Sequence, residues 1–339
     1  EFPDEPGRLF DFLLELPEKR LNKLQELLTV SMKKRRAQLF VEESLPPLSK
    51  ADQQAFHLLT HGDSSWLTAI PLGDCHFPDK EFKIAFKSRL RIPLAEVQRL
   101  PVKFCNCKST GRHRHELDLH GDHLMTCKYI KGSERTVDHN KIVRYMSQLD
   151  RAARVATEVE PRRKYIAEAE IQKPNGTIQH ERRLLDLWSA DSHVSQNGRE
   201  TLGDVSGVHG ITIDAYTRGG PNCASFKQVL KKRVDAKIAK YRAPVERIGY
   251  NFRPLIYETV GGGCHEDMEQ VITARCTEIA ERTGLGVGLV RFRWKQKLSC
   301  IIRKNAAHTI LSRIDRLHNR SHPRTKDQDQ YNELTQRIL

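Results

Sequence analysis

The chain has 339 residues, and its 57 lysines and arginines outnumber its 43 aspartates and glutamates, which gives a formal net charge of +14 at pH 7. This length allows two or three domains with real hydrophobic cores. The basic excess favours a polyanionic partner, nucleic acid first and an acidic membrane second. No run of eighteen apolar residues occurs, so we expect no transmembrane helix.

The eight cysteines are distributed unevenly, with three between Cys105 and Cys127 and the others placed singly. This pattern favours a reducing compartment and a metal site over a disulfide framework. No signal peptide is visible. The chain begins with Glu1 rather than methionine, so the sequence is compatible with a fragment of a longer protein and with the loss of a leader.

Residues 1–60 have a helical pattern of leucine and phenylalanine that breaks at Pro17 and again at Pro46 and Pro47. We interpret this segment as a helical linker. Its basic cluster, residues 33–36, could contact phosphates, although such a run on a helix is more often a solvated face. A second segment, residues 61–130, is expected to contain a linker helix over about 80–91 and a small metal-binding module.

The metal-binding module is predicted from the stretch CNCKSTGRHRHELDLHGDHLMTC, which begins at Cys105. Its best ligand set is Cys105, Cys107, His123 and Cys127, because thiolates and one imidazole suit tetrahedral zinc. The C-x-C spacing is tighter than the usual C-x2-C, and His120 is a rival fourth ligand. The alternative is an ordinary cysteine cluster with surface histidines. A structural zinc would contribute folding free energy directly.

Residues 131–263 predict an α/β core in the order helix, strand, strand, strand, helix, strand. A helical stripe follows residue 140, with Asp138 or Asn140 able to cap its start. Residues 264–339 should form two further helices, over 266–282 and about 289–317, followed by a polar tail. The second of these helices is basic.

Two short apolar runs inside this core look like strands, and each places one acid, Asp186 or Asp204, where the run breaks off. Two carboxylates from neighbouring strands can hold a divalent cation, because Mg²⁺ prefers hard oxygen ligands. Glu158 or Glu160, just upstream, could add a third carboxylate. Ser206 lies two residues beyond Asp204, on the same face of the strand.

Residues 226–241 predict a helix with an apolar face formed by Phe226, Leu230, Val234, Ile238 and Tyr241. Lys237 falls within this face, and Lys240 lies just outside its edge. A lysine near two acids can offset the charge that builds up on a phosphate in a transition state. The alternative is that Lys237 extends along the apolar surface to solvent.

The order of the motifs carries a further signal: CxC…HxxxC, RTVDHNKIVRYM, an acid on a strand, GDVSGVHG, K-x-x-K-Y and FRPLIYETVGGG. In this order they resemble the C-terminal region of non-LTR retrotransposon proteins, in the class where a zinc knuckle precedes a restriction-like endonuclease. The upstream stretch WLTAIPLGDCHFPDKEFKIAFKSRLRIPL is similar to the segment between polymerase and knuckle in such proteins. The resemblance covers about residues 64 to 315.

The resemblance implies a restriction-endonuclease-like core of the PD-(D/E)xK type with flanking helices. In that family the domain nicks one DNA strand, and the freed 3′ hydroxyl primes reverse transcription. Asp186 and Asp204 match the metal-binding acids, for Mg²⁺ or Mn²⁺, and Lys237, Lys240 and Tyr241 match the lysine helix. The zinc ligands match the knuckle. Further contacts to nucleic acid are expected from Arg112, Arg114, Tyr241, Arg291, Arg293 and Lys295.

The implied partners are double-stranded target DNA, the RNA of the element and the reverse-transcriptase domain of the same polyprotein, in the nucleus. The polymerase is not in this chain, which has no adjacent Asp-Asp pair. Two departures from the family pattern exist: Leu185 replaces the usual proline, and Ser206 replaces the usual lysine, for which Lys237 would substitute. They favour the alternative of a degenerate module that binds DNA or RNA without cutting it. A third interpretation is a polymerase-associated scaffold that grips template RNA.

Overall fold

The computed structural model describes residues 18–105, 107, 115–127, 129–130, 133–161, 167–172, 178–183, 185–190, 199–211 and 225–321. These residues form a mixed α+β protein that is mainly helical and has a small mixed sheet. The chain divides into two compact units, Glu1–Gln53 and Gln54–Leu339. The three predicted segments that follow residue 60 all lie in the second unit.

The first unit contains helix α1 (Glu18–Leu39), a π-helical turn (Phe40–Ser44) and the start of α2 (Lys50–Thr60). The side-chain amide of Gln53 donates hydrogen bonds to the carbonyls of Pro46 and Leu48, which holds the proline turn. The helical prediction agrees with this unit as far as it is described, although its first apolar run, residues 9–16, lies outside the described residues. Residues 33–36 are exposed.

The second unit begins with short helices and the module predicted to bind a metal. After 3₁₀ turns at Ser65–Thr68 and Gly73–Cys75 come α3 (Asp79–Arg89), α4 (Ala95–Gln98), the paired strands β1 (Phe104–Cys105) and β2 (His115–Glu116), and α5 (Asp122–Thr126). The core follows with α6 (Glu134–Ala152), β3 (Thr157–Val159), β4 (Ala167–Gln172), β5 (Ile178–Arg183), β6 (Leu187–Ser189), β7 (Thr201–Val208), α7 (Phe226–Arg247), β8 (Asn251–Glu258), α8 (Glu266–Thr283) and α9 (Val287–Ser321).

The central sheet has the strand order β3-β6-β7-β8, in which only β7 and β8 are parallel. The crossover between these two parallel strands contains α7. Because alternate side chains point to opposite faces of a strand, Val205 packs with α6, α8 and α9, whereas Leu202 packs with α7. Asp204 and Ser206 share the face of Leu202, so β7 presents both polar residues to α7.

Two sequence predictions differ from the structure. The segment around Asp186 is not one strand, because β5 ends at Arg183 and β6 begins at Leu187; Asp186 therefore precedes a strand instead of ending one. The predicted helix cap is wrong, because α6 begins at Glu134. Asp138 lies inside this helix, where it is buried and accepts a hydrogen bond from Thr309 of α9 (2.7 Å).

The other helix predictions after residue 60 agree with the structure to within a few residues at each end. Helix α7 extends furthest beyond its predicted end, to Arg247 instead of residue 241, and α9 is longer than predicted at both ends, from Val287 to Ser321. Long as this helix is, it carries many charged residues, and no described helix combines the length and the apolarity that crossing a membrane requires.

Candidate metal centre and acidic cleft

The structure brings together the four predicted metal ligands Cys105, Cys107, His123 and Cys127. All four are buried, and their ligand atoms lie within 4.8 Å of one another. Cys105 Sγ is 3.6 Å from Cys127 Sγ, and Cys107 Sγ is 3.6 Å from His123 Nε2. Around a tetrahedral metal with bonds of about 2.3 Å to sulfur and 2.0 Å to nitrogen, neighbouring ligand atoms are about 3.5–3.8 Å apart. The cluster can therefore hold a metal ion.

Asp118 orients the second half of this cluster. Its carboxylate accepts hydrogen bonds from the backbone N–H groups of His120, Asp122 and His123, at 3.0, 2.9 and 2.6 Å. These bonds satisfy donors at the start of α5, which would otherwise lack partners. Of the two rival ligands, His123 enters the cluster and His120 lies outside it.

The three thiols of the cluster have different proton affinities. Burial raises the pKa of Cys105 to about 12. Burial also raises the pKa of Cys127, but hydrogen bonds from His123 and from the backbone of Tyr129 and Ile130 outweigh it, so that the pKa falls to about 6. Because metals bind thiolates, loading the cluster at neutral pH must release protons.

A buried arginine of α9 attaches this cluster to the core. Arg313 donates hydrogen bonds to the carbonyls of Leu124 and Cys127, and its Nε lies 3.1 Å from Glu134 of α6. Glu134 also accepts two hydrogen bonds of 2.6 Å from Arg316. The Arg316 contact lowers the pKa of Glu134 to about 2. The carboxylate is therefore fully ionised and holds both arginines at neutral pH.

Asp204 lies in the middle of β7 and is only 4% exposed. The ammonium of Lys237 lies 2.5 Å from its Oδ2 and forms a close ion pair with it. Burial raises the pKa of Asp204, and Lys237 opposes this shift. Lys237 therefore lies within the apolar face of α7 with its ammonium paired to Asp204. The alternative, in which Lys237 extends along the apolar surface to solvent, is wrong.

Asp186 lies on the neighbouring edge of β7. Its backbone N–H donates to Gly203 (3.0 Å), and its Oδ2 accepts the N–H of Val205 (2.7 Å). Its Oδ1 lies 3.1 Å from Nε2 of His139 on α6. The hydrogen bond to Asp186 raises the pKa of His139. Sequence reasoning missed His139, although it lies within the motif RTVDHNKIVRYM.

Glu160, the predicted third carboxylate, touches Asp186 through its backbone. Its N–H donates to the carbonyl of Asp186 (2.9 Å), and its φ of 47° lies in the left-handed region. The Glu160 side chain is exposed. The structure therefore gives Glu160 a role in shaping the backbone beside the acid pair. Among the described residues, the Cys/His cluster is the one group of three or more candidate ligands within 4.8 Å.

Arg233 occupies the place beside Ser206, one helical turn before Lys237 on α7. Its Nε and Nη2 both donate to Ser206 Oγ, at 2.9 and 2.7 Å. The strand position that lacks the lysine of the family pattern is therefore next to a guanidinium. Sequence reasoning missed this residue too, because a basic residue on a helix usually marks a solvated face.

The acids line a cleft of about 860 Å³, which also borders the metal-binding module through Met125 and Thr126. The cationic side chains along it are those of Arg135, Lys232, Arg233 and Lys237. Its anionic side chains are those of Asp138, Asp186 and Asp204, and His139 and His209 also line it. The cleft can therefore accept an anionic ligand that needs both cations and carboxylates around it.

The remaining predicted contact residues lie in different surroundings. Lys240 is exposed, with its ammonium 5.0 Å from the ring centroid of Tyr241, and Tyr241 is buried against Phe252. Arg291 and Lys295 both pair with Glu269, at 3.4 and 2.8 Å. Arg293 is exposed. Arg112 and Arg114 lie outside the described residues.

A scan against models of known protein families finds no match to this chain, and a search among curated proteins finds no significant match. The chemistry of the site is therefore inferred from its own residues. They offer sulfur and imidazole ligands in the Cys/His cluster, and paired carboxylates beside cations in the cleft.

Proposed function

We propose that this chain is a metal-dependent DNA endonuclease module of a retroelement protein, with a restriction-endonuclease-like core. It would nick target DNA so that the freed 3′ hydroxyl primes reverse transcription by a polymerase domain of the same polyprotein. The observation that carries this proposal is the placement of Asp186, Asp204 and Lys237 together on one cleft. Nuclear location and contact with the RNA of the element belong to the same proposal.

The acid pair fits a hard divalent cation such as Mg²⁺ or Mn²⁺. It offers carboxylate oxygens from Asp204 on β7 and from Asp186 just before the neighbouring strand β6, and the ammonium of Lys237 already balances the charge of Asp204. Asp186 and Asp204 would hold the ion, which when bound supplies Lewis acidity and an activated water. The Val205 N–H and His139 hold the Asp186 carboxylate in place for this role.

The cations of the cleft would act on the phosphate. Lys237 already balances the charge of Asp204, and on substrate binding it could offset the charge that develops on the phosphate. Arg135 and Lys232 line the same cleft and would contact the backbone of the duplex. Such contacts position DNA without reading its sequence, so affinity should fall steeply with salt.

The Cys/His cluster would hold a structural zinc ion. Three sulfurs and one imidazole with ligand separations of 3.6 Å suit tetrahedral zinc, and the complete ligand set leaves no open position for catalysis. The adjoining helix α5 ends at the cleft with Met125 and Thr126. Zinc would therefore stabilise one wall of the proposed DNA site.

The test is nicking of supercoiled plasmid by the purified chain in Mg²⁺ or Mn²⁺. Wild type should nick, whereas Asp204→Asn and Lys237→Ala should lose at least about a hundredfold in rate, as enzymes do when a transition-state donor is removed. Lys231→Ala and Asp235→Asn change an exposed ion pair on the same helix and serve as controls that keep full activity. Wild-type binding of DNA with no nicking in either metal would overturn the nuclease proposal.

A second candidate is a module that binds nucleic acid without cutting it. Two observations favour it: Ser206 provides no charge on the strand, and Lys237 neutralises one of the two acids. In that case the Asp204→Asn variant should bind DNA as wild type does, and neither should nick the plasmid. Competition between duplex DNA and RNA of the same sequence then separates a DNA-binding module from an RNA scaffold.

A further inference from the structure

Ser206 and Arg233 form the polar contact of the cleft that has no place yet in the proposed chemistry. Ser206 lies two residues after Asp204 on β7, so both side chains face α7. Arg233 lies four residues before Lys237, so both cations lie on the same face of α7. The helix therefore sets a lysine against Asp204 and an arginine against Ser206.

Lys237 and Arg233 differ in the contacts that their charged groups already make. The ammonium of Lys237 is engaged with Asp204 at 2.5 Å. Arg233 donates the N–H of Nε and one N–H of Nη2 to the hydroxyl of Ser206. Because this hydroxyl is neutral, the contact does not balance the positive charge of Arg233. A guanidinium has five N–H donors in a fixed fork that matches phosphate oxygens. Burial raises the pKa of nearby Asp204 and the positive charge of Arg233 acts to lower it, but among the described residues no further acceptor lies within hydrogen-bond or ion-pair distance of this guanidinium.

We propose that Arg233 is a phosphate-binding residue of the site and that Ser206 is its positioning residue. The hydroxyl fixes the fork beside the acid pair, and the remaining N–H donors of Arg233 bind non-bridging oxygens of the phosphodiester to be cut. Arg233 thereby provides the positive charge that position 206 itself lacks. This inference rests on the proposed nuclease function and names the residue that recognises its substrate.

In the reaction, the oxygen of a water molecule forms a bond to phosphorus while the bond from phosphorus to O3′ breaks. The water gives up a proton, and the leaving O3′ takes one from solvent, so that the products are a 3′ hydroxyl and a 5′ phosphate. Negative charge increases on the non-bridging oxygens as these bonds exchange. A guanidinium fixed at those oxygens stabilises this charge without having to reorganise.

The alternative is that Arg233 has only a structural role, in which its hydrogen bonds to Ser206 connect α7 with β7. The two roles differ in the number of phosphate contacts that the protein makes, which the salt dependence of duplex binding measures without any cleavage. Arg233→Gln keeps a donor for Ser206 but removes the charge, and Arg233→Lys keeps the charge. Lys231→Ala removes a cation that is 71% exposed, from the same helix, and is the control.

The experiment measures binding of a labelled duplex against salt concentration, without divalent metal, and then single-turnover nicking of plasmid in Mg²⁺. We expect Arg233→Gln to reduce the slope of log affinity against log salt by about 0.9, the value of one phosphate contact, and Lys231→Ala to leave it unchanged. Arg233→Gln should also nick about a hundredfold more slowly. Arg233→Lys should restore the slope.

The double variant Ser206→Lys with Arg233→Ala returns the charge to the strand and should regain at least about tenfold over Arg233→Ala alone. An unchanged slope in Arg233→Gln overturns the inference, whether or not wild type nicks. A reduced slope together with a wild type that does not nick supports the phosphate contact and overturns only the nuclease proposal. Equal nicking by wild type and Arg233→Gln overturns the catalytic part of the inference.

Discussion

The Cys/His cluster and the acid pair both contain buried polar groups, but the partners of these groups come from different parts of the chain. The four ligands of the cluster come from one short stretch, and their atoms converge within 4.8 Å. Asp204 comes from β7 and Asp186 from the residue before β6, and each takes a partner from a helix: Lys237 of α7 for Asp204 and His139 of α6 for Asp186. The cluster offers a closed set of ligands to an ion, whereas the acid pair is balanced by side chains of the chain itself.

From this difference we infer that the cluster supports the fold and that the acid pair is open to a ligand. A closed ligand set contributes metal-binding free energy to folding. An acid pair on an open cleft contributes little to folding, because desolvation of Asp204 offsets its ion pair with Lys237. Removing the first site should therefore cost stability, and removing the second should cost activity.

Replacing Cys127 by serine should have the largest effect on stability, because it takes one ligand from a closed site. We expect the free energy of unfolding to fall by about 4 kcal/mol. This is less than the ~10–16 kcal/mol of isolated zinc fingers, since the module also packs against α9. Urea unfolding with and without a chelator measures it, and Cys75→Ser, outside the cluster, is the control. A midpoint that neither chelator nor Cys127→Ser moves contradicts the structural role.

Glu134→Gln should come second, at about 3 kcal/mol near pH 7, because it leaves the buried Arg313 without its ionic partner. The hydrogen bond from Arg316 lowers the pKa of Glu134 to about 2 in the folded protein, below the unfolded value of about 4.3. Its contribution is thus complete above about pH 5 and is lost as the pH falls towards 2. Urea unfolding from pH 7 to 3 should show that the difference in the free energy of unfolding between wild type and Glu134→Gln shrinks. A constant difference would contradict this prediction.

Asp204→Asn should change the free energy of unfolding by less than about 1 kcal/mol, although its residue is as buried as the cluster ligands. Burial already disfavours the charged form of Asp204, so neutralising it relieves a cost while it weakens the pair with Lys237. Thermal unfolding and plasmid nicking on one preparation test this: stability should persist while nicking disappears. A loss of stability like that of Cys127→Ser would place the acid among the structural groups.

Lys240→Ala should have the smallest effect. Its ammonium contacts the ring of Tyr241 at 5.0 Å and is exposed, so the loss should be on the order of 0.5 kcal/mol. Nicking should stay within about threefold of wild type, in contrast to Lys237→Ala. If the two lysine variants lose activity equally, the distinction that the structure makes between them is wrong.

The sequence predicted well wherever the signal was local. Ligand spacing selected Cys105, Cys107 and Cys127, and helical periodicity placed Lys237 within an apolar face. Local reasoning failed at Asp138, which was interpreted as a helix cap. It is instead a buried acceptor for Thr309, 171 residues away. Nothing in the pattern around Asp138 marks a contact of that range.

The site was only partly predictable for the same reason. The two acids and the lysine follow from runs and periodicity, but His139 reaches Asp186 across 47 residues and Arg233 reaches Ser206 across 27. Such pairs depend on which helix covers which face of the sheet. Glu160, the predicted third carboxylate, is near Asp186 in space, but it contacts Asp186 through its backbone N–H.

The sequence by itself determined the basic character of the chain, the three cysteines of the cluster, and the positions of the two acids and of the two candidate lysines. Those features depend on composition and on spacings of a few residues, which a helix or strand period turns directly into geometry. Only the tertiary structure decided that Lys237 and not Lys240 meets Asp204, that Arg233 stands at Ser206, and that Arg313 attaches the cluster to the core. These contacts join segments far apart in the chain, and packing of helices on the two faces of one sheet brings them together.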